Sequence, residues 1–144
     1  MPGIQGGVFA NTADPGDALG SNLSRLSVGP SGSDYFAIAG GDSGALAVLS
    51  QKTKKLLFEL KLSSSSCAAV GFGANGNKVY AVGDQAEIYV WDLRHTKRCL
   101  AKIGDEGSFN TTHLTLSADG TQLATGSHSG IVNIYKVNGN NEGD

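Results

Sequence analysis

Long apolar runs, helical periodicity, proline and cysteine are all scarce in this chain, and each scarcity removes a class of protein. No stretch of the 144 residues approaches the length needed to cross a membrane. No basic start leads into an apolar core of signal-peptide type, so a soluble intracellular protein is expected. No window places apolar residues at helical spacing over three or more turns, which predicts almost no helix. Two cysteines, Cys67 and Cys99, are too few for a disulfide scaffold and lack partners at metal-ligand spacing. They read as reduced structural thiols, and no metal or cofactor is expected. Net charge is only −2, so bulk electrostatics gives no reason to expect nucleic-acid binding by the whole surface.

Glycine and short β-type runs are abundant. The 21 glycines punctuate strands rather than helices. Lys78 to Val82 and Glu87 to Trp91 flank a Gly-Asp-Gln-Ala turn, the pattern of a hairpin. The second run closes on Trp91-Asp92. The same hairpin returns as Gly126-Ser-His-Ser-Gly130 followed by Ile131-Val-Asn-Ile-Tyr135, and upstream as Gly41-Asp-Ser-Gly44 followed by Ala45-Leu-Ala-Val-Leu49. Leu49, Trp91 and Tyr135 therefore occupy one repeat position, at intervals near the roughly 40 to 45 residues of a propeller blade. The preceding strand and turn also repeat: Val70-Gly-Phe72-Gly-Ala-Asn-Gly76 matches Leu114-Thr-Leu116-Ser-Ala-Asp-Gly120 and, more loosely, Leu26-Ser-Val28-Gly-Pro-Ser-Gly32. The predicted architecture is all-β, a WD40-type β-propeller of about three blades. It spans residues 23–137, between a linker or disordered arm at 1–22 and a polar tail at 138–144.

Several motifs invite a chemical reading. Gly71-Phe-Gly73-Ala-Asn-Gly76 is a literal G-x-G-x-x-G, but a phosphate cradle requires a helix to open at the third glycine, and a strand follows instead. His95, His113 and His128 fall in different elements and share no recurrent Ser, Cys or carboxylate partner, so no catalytic residue is assigned and no small-molecule substrate is expected. Charge is more informative. Six of the eleven Lys and Arg residues fall in two equivalent turns, Lys52, Lys54 and Lys55 after the third strand of the first blade and Arg94, Lys97 and Arg98 after that of the second. On a propeller these form one basic rim, able to meet RNA or an acidic peptide, with solubility as the plainer explanation.

The run Lys52-Thr-Lys-Lys-Leu56, the pair of strands Val79-Tyr-Ala81 and Glu87 to Asp92, the loop Asp105-Glu-Gly-Ser108 and the strand Val132-Asn-Ile-Tyr135 together resemble the Utp-eighteen family of WD-repeat proteins. That resemblance implies a non-enzymatic scaffold of the U-three small nucleolar ribonucleoprotein, working beside other propeller proteins of the small-subunit processome in nucleolar ribosomal RNA processing. A WD40 adaptor for protein contacts in another pathway is the alternative. Because a propeller closes its ring with about four to eight blades, three blades are expected to leave an apolar face bare at each end and to favour aggregation or self-association.

Overall fold

Alternating β-branched, aromatic and small residues, interrupted every few positions by glycine, fold here as short antiparallel strands. The computed structural model describes residues 3–4, 8–9, 23–30, 32–40, 43–63, 66–85, 87–104 and 111–137. Most of the arm at 1–22, the Asp105 to Ser108 loop and the tail at 138–144 lie outside the described residues. Within the arm, β1 (Gly3–Ile4) and β2 (Val8–Phe9) pair antiparallel. Among the described residues there is no helix.

Three sheets make up the body. The first contains β3 (Leu23–Val28), β4 (Tyr35–Gly40), β5 (Ala45–Ser50) and β6 (Leu56–Lys61). The second contains β7 (Cys67–Phe72), β8 (Lys78–Gly83), β9 (Glu87–Asp92) and β10 (Ala101–Gly104). The third has three strands, β11 (Thr111–Leu116), β12 (Gln122–Ser127) and β13 (Val132–Lys136). Every ladder is antiparallel between neighbours in sequence, as tight turns dictate. The repeat extends to its irregularities: the first strand of each sheet shifts register near its start, between Leu23 and Arg25, Cys67 and Ala69, and Thr111 and His113.

The turns joining first and second strands repeat as well. Gly29, Gly73 and Ser117 each donate a backbone N–H across the turn, to the carbonyls of Tyr35, Lys78 and Gln122. Gly76 and Gly120 stand at φ 78° and 74°, where a side chain would be strained. The end of each third strand is tied back to this turn: Gln51 N–H to the Asp34 carbonyl, Leu93 N–H to that of Asn77, and Val137 N–H to that of Thr121.

Period-two alternation gives each sheet two apolar faces, and the sheets stack through them. Ala37, Ala39, Leu46, Val48 and Leu60 of the first sheet meet Val70, Phe72, Val79, Ala81, Tyr89 and Trp91 of the second in one buried cluster. On the other face of the second sheet, Tyr80, Val82, Ile88 and Val90 pack with Leu114, Leu116, Leu123 and Tyr135 of the third. Gly71 makes that second junction close: a Cβ there would lie 2.9 Å from Leu114 Cδ2 and 3.1 Å from Leu116 Cδ1. The first glycine of the G-x-G-x-x-G motif is thus a packing position, and the third serves a turn leading into β8.

Bare apolar faces were expected at both ends, and the ends differ. On the third sheet Val132 and Ile134 are 71% and 69% exposed. On the far face of the first sheet, Ile38, Ala45, Ala47 and Leu49 are buried in a small cluster with Phe36. Leu26 and Val28 pair with Ile38 and Phe36 and so share that face, and they are 57% and 61% exposed, so the apolar face expected there is bare along β3 and covered toward β5.

Candidate interaction rim

The two basic turns follow β5 and β9, the third strands of sheets stacked on one another, and so lie at the same end of adjacent blades. The first is built around a carboxylate. Ser50 Oγ donates to Asp34 Oδ2 at 2.7 Å, the Lys52 backbone N–H donates to Asp34 Oδ1 at 3.0 Å, and Thr53 N–H reaches Ser50 Oγ at 3.1 Å. Gln51 Nε2 donates to the Tyr35 carbonyl at 2.7 Å, closing the turn on the neighbouring strand. The Ser50 hydroxyl, with smaller help from Lys52, lowers the Asp34 pKa from its ordinary value. Lys54 sits at φ 63° and its Nζ donates to the Gln51 carbonyl. Lys52 and Lys55 are left facing solvent.

The second turn is organised by Asp92. Arg94 grips it with two side-chain bonds, Nε to Oδ1 at 2.9 Å and Nη2 to Oδ2 at 2.7 Å, and adds its backbone N–H at 2.9 Å. A bidentate guanidinium suits a carboxylate fork, and it holds the Asp92 carboxyl down to about 2. His95 N–H donates to the Asp92 carbonyl at 2.9 Å. Lys97 and Arg98 stay exposed. The structure thus sorts the six cations: Lys54 and Arg94 hold their own turns, whereas Lys52, Lys55, Lys97 and Arg98 face solvent. Sequence reasoning missed Asp34 and Ser50, although a Ser followed by a lysine-rich turn hinted at a side-chain capped loop.

The residues at the repeat position share one face of their sheets. Trp91 is 3% exposed and stacks on Tyr89, with ring centroids 5.9 Å apart and an interplanar angle of 14°. Leu49 is fully buried on the first sheet, and the Tyr135 hydroxyl donates to the Gly104 carbonyl at 3.5 Å. His95, His113 and His128 lie on separate elements. Among the described residues, no three His, Cys, Asp or Glu side chains come together as metal ligands. Strands β3, β7 and β11 border an open groove of about 540 Å³, lined by Leu26, Val70 and Leu114 with Arg25 and His113.

Repeated antiparallel units, stacked face to face with first strands side by side, define a segment of a WD-repeat β-propeller. A solved structure described as the Dos1 propeller agrees, with a TM-score of 0.69 at 18% identity, covering 79% of this chain and 30% of that one. No family model matches the chain. Among curated proteins it is 38% identical over 108 residues to the U3 small nucleolar RNA-associated protein 18 homolog of Homo sapiens, covering 75% of this chain and 19% of that protein. The homolog of Arabidopsis thaliana is 42% identical over 96 residues (67% and 17%), and that of Mus musculus 34% over 113 residues (78% and 20%). Over the segment it matches, the chain is similar to these U3 small nucleolar RNA-associated protein 18 homologs. It spans about a fifth of the length of the curated relatives.

Proposed function

We propose that the chain is a non-enzymatic scaffold segment of the U3 small nucleolar ribonucleoprotein, acting in nucleolar ribosomal RNA processing and small-subunit assembly. The observation that carries this reading is the 34 to 42% identity, over two thirds or more of the chain, to proteins named for association with U3 small nucleolar RNA. In such a scaffold the stacked blades supply rigid edges and the turns supply contacts to neighbouring propeller proteins. We assign the contact to RNA or to an acidic partner to Lys52, Lys55, Lys97 and Arg98. Their exposure on equivalent turns suits a phosphate backbone, whose recognition is electrostatic and largely blind to sequence.

Changing those four residues to Glu within the full-length protein tests the reading, with Lys54 and Arg94 kept because they hold the turns together. Recovery of U3 small nucleolar RNA with the tagged protein should fall. In purified binding, the log-log slope against salt should lessen by nearly one unit for each phosphate that the rim ceases to neutralise. Stability should change by no more than about 0.5 kcal/mol, since exposed turn positions seldom matter more. Unchanged RNA recovery would show that the rim is only a solvated surface. Recovery of unrelated complexes without U3 RNA, from the unaltered protein, would instead favour an adaptor in another pathway.

A further inference from the structure

We propose that the Arg94 guanidinium is a stacking platform for an unpaired nucleobase, so that the turn after β9 takes single-stranded RNA by a base as well as by its phosphates. This rests on the RNA reading of the rim given above and names the form of RNA that the rim holds. The two carboxylate bonds, Nε to Asp92 Oδ1 at 2.9 Å and Nη2 to Asp92 Oδ2 at 2.7 Å, occupy one edge of the guanidinium. A fork of two such bonds fixes the orientation of the plane, and it engages the edge of the group rather than its faces. The two partners are unequally placed: the Asp92 side chain is 6% exposed and that of Arg94 57%. The carboxylate is thus anchored in the blade, and the guanidinium stands out toward solvent. The backbone is fixed as well, by the Arg94 N–H to Asp92 Oδ1 at 2.9 Å and the His95 N–H to the Asp92 carbonyl at 2.9 Å. A plane held in advance loses little freedom when a ligand covers it. The Asp92 carboxyl, held down to about 2, stays ionised at neutral pH and keeps the fork closed.

The chemistry of the pair selects the ligand. A cation whose charge is already matched by a carboxylate suits a phosphate poorly, and what it still offers is a flat, weakly hydrated surface. Unstacked bases of single-stranded RNA settle on guanidinium planes, whereas bases inside a duplex have their faces covered by their neighbours. Phosphate contacts come from the same turn, where Lys97 and Arg98 are exposed. The first turn has no equivalent plane: its carboxylate, Asp34, is held by Ser50 Oγ and the Lys52 backbone N–H, and its Lys54 Nζ donates to the Gln51 carbonyl. The first turn therefore supplies charge alone, and the second supplies charge and a plane. An acidic peptide would meet the same cations but brings no ring to lay on Arg94, so the geometry favours RNA.

Fluorescence anisotropy with the full-length protein compares a labelled oligoadenylate of about eight nucleotides with a strand of the same length built from abasic sugar-phosphate units. Both carry the same phosphates, so the platform shows as a preference of roughly fivefold or more for the strand with bases. Arg94→Lys keeps a positive charge beside Asp92 and removes the plane. It should erase that preference while leaving the affinity of the abasic strand and the log-log salt slope unchanged, because the phosphate contacts are untouched. A turn that merely lost its shape would weaken both strands alike. Equal binding of the two strands by the unaltered protein, or an equal loss of both in Arg94→Lys, would overturn the platform while the electrostatic rim stands. Failure of both strands to bind, or an oligoglutamate of equal charge that competes as well as the strand with bases, would remove the RNA reading and the platform with it.

Discussion

Replacing Trp91 by alanine strikes the junction between the first two sheets. The indole is almost wholly buried, packed among Ala37, Ala39, Leu46 and Val48 on one side and stacked on Tyr89 on its own strand. A buried indole withdraws about 150 to 250 Å² from water. At about 25 cal/mol per Å², that is a transfer contribution of about 4 to 6 kcal/mol, an upper bound because the unfolded chain is already partly collapsed. Alanine retains a small part of this, the missing ring stack adds about 0.5 to 1.5 kcal/mol, and relaxation of half-buried Tyr35 and Phe58 into the cavity offsets some of the loss. The expected cost is about 3 to 5 kcal/mol. Against a typical stability of about 5 to 15 kcal/mol, the variant should be barely folded or unfolded. Because Trp91 is the only tryptophan, unfolding in urea should be followed by far-UV circular dichroism. Trp91→Phe, which keeps an aromatic ring in the space, should lose only roughly 1 to 2 kcal/mol. A loss below about 1 kcal/mol for the alanine variant, with a native-like spectrum, would mean that this junction does not hold the sheets together.

Burial in β7 pushes the Cys67 thiol up to about 12, whereas Cys99 is half-buried beside the Val90 and Ala101 carbonyls. Since the thiolate is the reactive form, a thiol reagent applied in mildly alkaline buffer should label Cys99 in the native protein and Cys67 only after denaturation; equal native rates would contradict the packing of β7. The Asp92 carboxyl is depressed from 3.8 to about 2 in the folded state, so its partnership with Arg94 stabilises above about pH 4 and fades as pH falls through about 2. Arg94→Gln should therefore cost roughly 1 kcal/mol near neutrality, reduced from the value for a buried pair because the guanidinium is more than half exposed. The difference from the unaltered protein should vanish near about pH 2, and a cost independent of pH would assign the loss to packing instead.

Much of this molecule was legible as pattern. Hairpins, turn glycines at 76 and 120, and the repeat position shared by Leu49, Trp91 and Tyr135 are local features, because alternation and turn chemistry depend on residues a few positions apart. They define the strands and their order and expose the nucleotide-type glycine motif as a turn leading into a strand. The relation between sheets is not local, and there the tertiary structure decided the outcome. Gly71 faces Leu114 and Leu116 of the next sheet, so only the fold shows that it is a packing glycine. The Asp34 carboxylate clamps Ser50 and Lys52 across a strand pair, which separates cations that hold a turn from cations free to meet a partner. Blade counting treated the two ends alike, yet the Leu49 face is covered around Leu49 and bare at Leu26 and Val28 of β3, whereas Val132 and Ile134 stand bare on the third sheet. Sequence determines which residues alternate and where the chain reverses; packing between sheets determines which alternating face meets another, because that contact is made by residues far apart in the chain.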